Sequence, residues 1–289
     1  MIAAAERSHL GQRFLVGSAE SLRDLLVDAI SSDGPGRLVV HANLHTVYSK
    51  SKSSDLRELL EDFPKILVLF EGIALKLSSL ISSGEWWPDV NGTDLIPKVL
   101  ERAPYGTRLA IVGGRQDVIE AACRKLALRY PNLEIVLHLD GYAGLQRLDA
   151  HIQRLKIARP DIILVGLGTP HQELLSSRLL QEVAPKLVWS IGGFLEFASG
   201  TAVRAPGIVR AARLEWLWRL IREPARLWRR TFIEGPWLAH KLLAPRLEWL
   251  WRLIREPARL WRQTSMQGPW FAHKLTKGLL VVQKRARDG

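Results

Sequence analysis

Short, fully apolar runs that end in glycine constrain this chain more than any other feature. Ile162 to Val165 is followed by Gly166 and Gly168, and Leu187 to Ile191 by Gly192 and Gly193. Apolar runs this short, bounded by turn residues, are the pattern of strands buried on both faces of a parallel sheet. The pattern recurs upstream. Arg13 to Gly17, Arg37 to Val40 and Lys65 to Phe70 read as strands, while TRLAIVGG (107–114) and LEIVLHLDGY (133–142) each run from strand into turn. Helical periodicity fills the intervals: Ala19 to Ile30, a segment opening at Thr93, QDVIEAACRKLALRY (116–130) and Leu145 to Ala158. Thr169-Pro170-His171-Gln172 opens a further helix, with Thr169 and Gln172 spaced as a capping box and Pro170 at the first helical position. Strands and helices in alternation predict an α/β fold: a Rossmann-like parallel sheet with helices on both faces and right-handed crossovers.

Sheets of this kind bind ligands beyond the carboxyl ends of their strands, where glycine turns present backbone N–H groups to phosphates. The residues at those ends are Asn43, Glu71, Gly113, Gly114, Asp140, Tyr142, Gly166, Gly168, Gln172, Gly192, Gly193 and Glu196. They predict a nucleotide-like ligand. Neither the G-x-G-x-x-G nor the G-x-x-x-x-G-K-[ST] spacing is present, which disfavours a nucleotide-binding oxidoreductase and a P-loop enzyme. There is no Asp-x-Asp pair, and His41, His45, His138 and His171 lack metal-ligand spacing, so neither metal nor cofactor is expected. The single cysteine, Cys123, lies in helical sequence and reads as a core thiol; no intrachain disulfide is possible. Plain structural readings stand beside some of these assignments. Gln172 also fits a helix cap, Glu71 a loop acid and Asn43 a turn. Glu196, flanked by Phe194, Leu195 and Phe197, is harder to explain as a solvated acid.

Charge divides the chain. Past residue 200 there are 19 Lys+Arg against 6 Asp+Glu and eight of the eleven tryptophans, which leaves 22 against 23 before it. We therefore expect an α/β catalytic domain over 1–200 and a basic, Trp-rich helical tail over 201–289. Within the tail, Arg213 to Arg229 recurs unchanged at Arg246 to Arg262, and the likeness extends through GPWLAHKL and GPWFAHKL, giving copies at 213–242 and 246–275. Each copy begins as an amphipathic helix, with Leu214, Leu217, Trp218 and Ile221 on one side and Arg219 and Arg222 on the other, and should break at Glu223-Pro224. Tryptophan with arginine on such a helix suits the interface of an anionic membrane. An ordinary packed helical subdomain and a nucleic-acid-binding tail are the competing readings; tryptophan-leucine faces and the lack of a reading-helix motif disfavour nucleic acid. The start, MIAAAERSHLGQRF, has no apolar stretch suited to a secretion leader, and no run approaches the ~20 apolar residues of a membrane span. KILVLFEGIALKLSSLI comes nearest and is interrupted by Glu71 and Lys76. A peripheral membrane protein is the expectation.

Eight blocks, in order, resemble the WecG/TagA/CpsF glycosyltransferases (glycosyltransferase family 26): HANLHTVY, LFEGIALKL, VNGTDLIPKVLERAP, LAIVGGRQDVIEAACRKL, YPNLEIVLHLDGY, RPDIILVGLGTPHQE, IGGFLEFASGTAVRAP and LEWLWRLIREPARLWRR. They span most of 38–230. The resemblance implies an inverting, metal-independent transfer of a sugar from a UDP-sugar to a polyprenyl-diphosphate-linked acceptor, at the cytoplasmic face of the bacterial inner membrane, in surface or exported polysaccharide synthesis. A catalytically degenerate member that only binds lipid-linked intermediates is the alternative, and a homo-oligomer is compatible with either. Residue by residue, the resemblance places Glu71 at the general base, where the family usually has Asp, and Asn43 beside it near the acceptor. It assigns Gly113, Tyr142, Gly166, Gly168, Gln172, Gly192, Gly193 and Glu196 to the nucleotide side, with Glu196 replacing a usual Asp. It assigns His41, Thr93, Asp94, Arg213, Arg219 and Arg222 to the acceptor and its diphosphate. His41 stands where Thr is common, and Asp89 near a position that is often Arg.

Overall fold

The structure, a computed structural model of the chain, describes residues 3–62, 65–141, 148–202, 205–207, 209, 215–222 and 224–244. The strands are β1 (Ala5–His9), β2 (Gln12–Val16), β3 (Arg37–Ala42), β4 (Ile66–Phe70), β5 (Thr107–Gly113), β6 (Leu133–Leu139), β7 (Ile162–Gly166) and β8 (Leu187–Ser190). They form one sheet in the order β1-β2-β4-β3-β8-β7-β5-β6. Every pairing is parallel except β1 with β2, so the sheet is mostly parallel with an antiparallel edge. That edge hairpin is absent from the sequence reading because AERSH carries no apolar run; four of the five residues of β1 are exposed.

Alternate residues of the buried strands feed two cores. Val39, Leu67, Leu69, Ile162, Leu164, Leu187 and Trp189 face one layer of helices: α1 (Ala19–Ser31), α5 (Gly92–Arg102), α6 (Gln116–Arg129) and α9 (Phe194–Ser199). Leu38, Val40, Val68, Phe70, Ile163, Val165 and Val188 face the other: α2 (Leu44–Lys50), α3 (Ser54–Leu59), α4 (Ile73–Ser83), α7 (Leu148–Ala158) and α8 (His171–Val183). Helices on both faces are as expected from strands apolar at every position. Burial of these side chains is the main favourable term in folding. The short helices α2, α3 and α9 and the longer α4 were not legible in the sequence. α4 starts at Ile73, immediately after the strand end that carries Glu71.

Composition changes at Gly200, but the contacts do not. Met1–Leu238 is one compact unit and Ala239–Gly289 another. In the first unit the chain continues through α10 (Glu215–Arg222), α11 (Pro224–Arg229) and a π turn, Arg230–Glu234. The two helices meet at Pro224, as the Glu223-Pro224 step predicts. Leu227 and Leu238 are buried, and Trp237 packs edge-on against Tyr48 of α2, ring centroids 5.3 Å apart. The second copy of the duplication, 246–275, lies outside the described residues, as do Tyr142 and Arg213. Among the described residues no helix is long and apolar enough to cross a membrane.

Candidate functional site

The order in which strands are added reverses between the parallel neighbours β5 and β7: β5 leads on to β6 at one edge, whereas β7 leads back to β8. Open α/β sheets bind ligands at such a switch point. Gly113 and Gly166 pair across it. Their backbones approach so closely that a Cβ on Gly113 would lie 2.1 Å from the Gly166 carbonyl oxygen, and Gly113 has φ +131°. Gly114 N–H donates to that same oxygen at 3.1 Å, and Gly141 N–H donates to Gly114 O at 3.1 Å. The turns after β5, β6 and β7 are thus tied together by backbone alone. Gly166 in turn lies against Gly192 and Leu195: a Cβ there would meet Gly192 O and Leu195 Cδ1, each at 3.2 Å.

Gln172 is placed by α8, but not as a cap. That helix starts at His171 after a cis Thr169–Pro170 peptide, and the predicted Thr169/Gln172 capping box is not formed. A cap needs Thr169 at the residue before the helix; Pro170 occupies that place and has no side-chain acceptor. Gln172 is buried and instead accepts from Gly192 N–H at 3.1 Å through Oε1. Its Nε2 donates to Glu173 Oε1 at 2.8 Å, and Thr169 Oγ1 donates to the same oxygen at 3.0 Å. Gly168 lies one turn before, accepting from Gln172 N–H. Glu196 sits in the first turn of α9, with Oε2 3.5 Å from where a Gly193 Cβ would be.

Against Trp189 lies a carboxylate–imidazole pair, Glu71 and His41. Glu71 follows β4, and its N–H donates to Ala42 O at the end of β3. His41, on β3, brings Nδ1 to 3.0 Å from Glu71 Oε2. The imidazole stacks on Trp189, centroids 5.9 Å apart and planes 6° from parallel, and is covered by Gly92 at the start of α5. His41 has a side chain only 8 % exposed, and neither ring nitrogen has a partner in hydrogen-bond geometry. The contact with Glu71 is therefore one of proximity. Asn43 caps α2: Oδ1 accepts from His45 N–H at 2.9 Å and from Thr46 N–H at 3.4 Å, within a full capping box. Thr93 and Asp94 form the first turn of α5, where Thr93 Oγ1 donates to Asn91 Oδ1 at 2.8 Å.

Asp89, near a position that is often Arg in the family, is ion-paired in the structure. Lys76 of α4 reaches it at 2.6 Å and lies over the Trp86 ring. Arg222 lies on α10 with its guanidinium over Trp218, 5.0 Å from the centroid, and Arg219 is on the same helix. No group of three or more His, Cys, Asp or Glu side chains suited to a metal ion occurs among the described residues.

Sequence reasoning missed two buried carboxylates and the half-buried His45 that one of them meets. Glu173 is fully buried, and burial pushes its carboxyl above the usual range; hydrogen bonds from Gln172, its own N–H and Thr169 pull the other way. Glu234, in the π turn, is 1 % exposed, and its Oε1 shares a 2.7 Å hydrogen bond with His45 Nδ1. The adjacency of Glu173 to Gln172 was a readable signal. His45 and Glu234 are 189 residues apart and carried none.

A family model described as "Glycosyl transferase WecG/TagA/CpsF family" matches residues 7–247. The chain is similar to an N-acetylglucosaminyldiphosphoundecaprenol N-acetyl-beta-D-mannosaminyltransferase of Bacillus subtilis (strain 168), 29% identical over 197 residues, 68% of this chain and 75% of that protein. It is similar to a protein of the same name in Bacillus spizizenii, 28% identical over 196 residues and 74% of the relative. A third, from Staphylococcus aureus (strain MW2), is 31% identical over 141 residues, 48% of this chain and 55% of the relative.

Proposed function

Because the chain belongs to the WecG/TagA/CpsF glycosyltransferase family, we propose that it transfers a hexosamine-type sugar from a UDP-sugar to a polyprenyl-diphosphate-linked N-acetylglucosamine, with inversion and without a metal. The relatives' names supply the acceptor class and the kind of sugar. The observation that supports the reading is that two differently built groups of residues follow the carboxyl ends of neighbouring strands, β4 and β3 on one side and β8, β7 and β5 on the other. On one side, the backbone turns at Gly113, Gly166, Gly168 and Gly193 are assigned to give N–H groups to a diphosphate, the role such donors play for a departing anion, while the Gly192 N–H is held by Gln172. On the other, Glu71 follows a strand end, with one carboxylate oxygen 3.0 Å from His41 Nδ1.

An inverting transfer needs one carboxylate to accept the proton of the acceptor hydroxyl as its oxygen attacks the anomeric carbon and the bond to UDP breaks. Glu71 is assigned this role. The Asn43 amide and Thr93 and Asp94 on the first turn of α5 line the acceptor side, and Arg219 and Arg222 are assigned to the acceptor's diphosphate, with Arg213 beyond the described residues. Gln172 holds the Gly192 turn, and Glu196 and Tyr142 complete the nucleotide side. The basic C-terminal region, with Trp228 and Phe232 exposed, attaches the protein peripherally to an anionic membrane at its cytoplasmic face.

Glu71→Gln tests the assignment. A general base contributes about 10²–10⁴-fold, so transfer to a lipid-linked acceptor should fall by that factor while UDP binding, followed by calorimetry in EDTA, persists. Near wild-type turnover in Glu71→Gln removes the base assignment; loss of UDP binding on chelation removes the metal-free reading.

A further inference from the structure

A surface helix in water turns its apolar residues inward and its polar ones outward. The helix α4 does the reverse over much of its length. Lys76, Ser78 and Ser79 are buried, at 4 %, 1 % and 0 % exposure, while Leu77, Leu80 and Ile81 are exposed at 46 %, 41 % and 43 %. The buried polar groups are satisfied inside. Lys76 Nζ lies 2.6 Å from Asp89, Ser78 Oγ shares a 2.7 Å hydrogen bond with His9 Nε2, and Ser79 Oγ donates to the Glu85 carbonyl at 3.1 Å. Lys76 is the only charged residue of α4, so the outer face carries no charge at all. Trp86, just past the helix, is exposed as well, and its neighbour Glu85 is ion-paired with Arg7. Leu128 on α6 and Ile157 on α7 are also exposed, but each is the only large apolar side chain so exposed on its helix. Single residues of that kind are ordinary, whereas three on one helix face with a tryptophan beside them form a patch.

The place of the patch says what covers it. The run KILVLFEGIALKLSSLI comes nearest to a membrane span in the sequence; the fold makes its first half β4 and turns the apolar face of its second half outward. β3 and β4 are parallel neighbours, and they lead directly into α2 and α4, which pack on the same face of the sheet. The C-terminal segment docks on α2 through the His45–Glu234 contact and exposes Phe232 and Ile233 beside it. The patch and the region assigned above to membrane attachment thus belong to one helical layer. A helix face is convex, whereas single small ligands are held in concave sites. An uncharged, convex face with a tryptophan at its end fits the apolar edge of a bilayer.

We propose that the outer face of α4, with Trp86, is a second membrane contact that acts alongside the basic C-terminal region. It also places the site. α4 begins two residues after Glu71, and at 1.5 Å per residue Ile81 lies about 12 Å along the helix from Ile73. A helix seated by this face keeps the assigned base close to the membrane surface, where the diphosphate of a lipid-linked acceptor emerges. That consequence rests on the proposed function; the contact itself does not.

The test uses the full-length chain. Leu80→Cys carries a polarity-sensitive fluorophore, and Leu128→Cys, exposed on the opposite helical layer, is the control. The native Cys123 is buried, and burial pushes its thiol up to about 11, so the label goes to the new cysteine. Adding phosphatidylglycerol/phosphatidylcholine vesicles should shift emission to the blue at position 80 and leave position 128 unchanged. The triple variant Leu77→Gln/Leu80→Gln/Ile81→Gln keeps helix propensity. At about 1 M salt, where charges are screened beyond about 3 Å, its vesicle binding should be at least about tenfold weaker than wild type, with UDP binding unchanged. Transfer to an acceptor embedded in vesicles should fall in the triple variant, and transfer to the same acceptor in detergent should not. A label at 80 that stays in water while the protein pellets overturns the proposal, as does unchanged high-salt binding of the triple variant or a wild-type chain that binds no vesicles. Blue emission at 80 before vesicles are added also overturns it: if the shift grows with protein concentration, a second copy covers the face, and if it does not, the chain's own C-terminal region does. Absence of transfer to any lipid-linked acceptor removes the proposed function instead, and the two vesicle readouts still decide the role of α4.

Discussion

Replacing Gly113 by alanine should be among the most damaging single-methyl changes this protein can suffer. The position has φ +131°, which an L side chain rarely adopts, and the new Cβ would lie 2.1 Å from Gly166 O and 2.6 Å from Gly166 C. Ordinary contact needs roughly 3.4 Å or more, so β5 and β7 would have to separate by about an ångström. Residues held in unfavourable backbone regions cost about 1–3 kcal/mol, and overpacking of a tight interior another 1–3 kcal/mol. Separation also strains the Gly114 N–H to Gly166 O bond; an unmade buried hydrogen bond costs about 1–3 kcal/mol. These terms overlap, and a total of about 4 kcal/mol is a substantial share of a typical 5–15 kcal/mol. At about 2–4 °C per kcal/mol for a unit of this size, the Tm should fall by about 8–16 °C. Gly114→Ala is the control. It too has positive φ, +70°, but its Cβ would meet only Leu195 Cδ1 at 3.4 Å and Val118 Cγ1 at 3.9 Å. That leaves conformational strain of about 1–2 kcal/mol and a Tm loss of about 2–8 °C. Thermal unfolding followed by circular dichroism measures both. Equal losses in the two variants would refute the close approach of the β5 and β7 turns.

His41→Ala should reduce turnover about tenfold with UDP affinity intact, but should cost nothing further in a Glu71→Gln background; multiplying losses in the double variant would mean that His41 acts apart from Glu71. Deleting 245–276 removes Arg246, Arg252, Arg255, Arg259, Arg262 and Lys274 and should weaken binding to anionic vesicles at least about tenfold, more at low salt, with transfer retained; unchanged pelleting would assign attachment elsewhere. A truncation at 200 is a poorer test, because it also strips Leu227 and Leu238 from the body. Glu173 has a carboxyl raised by burial, so the folded protein holds that proton to higher pH than the unfolded chain does. Its contribution to stability is full below the usual carboxyl value of 4.5 and is lost as pH rises through the raised one. Melting curves of Glu173→Gln and wild type should therefore diverge in the variant's favour as pH rises from 4.5; a constant difference would contradict the raised value.

Local pattern fixed the strands and most of the long helices, because a strand buried on both faces must be apolar throughout and must end where the chain turns. Gly113, Gly166 and Gly192 were legible as turn residues for the same reason, and Pro224 as a helix break. The edge strand Ala5–His9 was not legible: it is mostly exposed and needs only backbone pairing with Gln12–Val16. Nor was the part played by Gln172, since its side chain looks along the sequence like a cap and reaches, in the fold, a glycine twenty residues away. The contact of His41 with Glu71, the stacking of His41 on Trp189 and the pairing of His45 with Glu234 join residues whose sequence separations follow no period. Sequence by itself determined an α/β sheet with glycine turns at its carboxyl ends. Only the tertiary structure decided which side chains meet there, because strand order is set by crossover packing across the whole sheet, and the π turn that buries Glu234 exists only where the C-terminal segment meets α2.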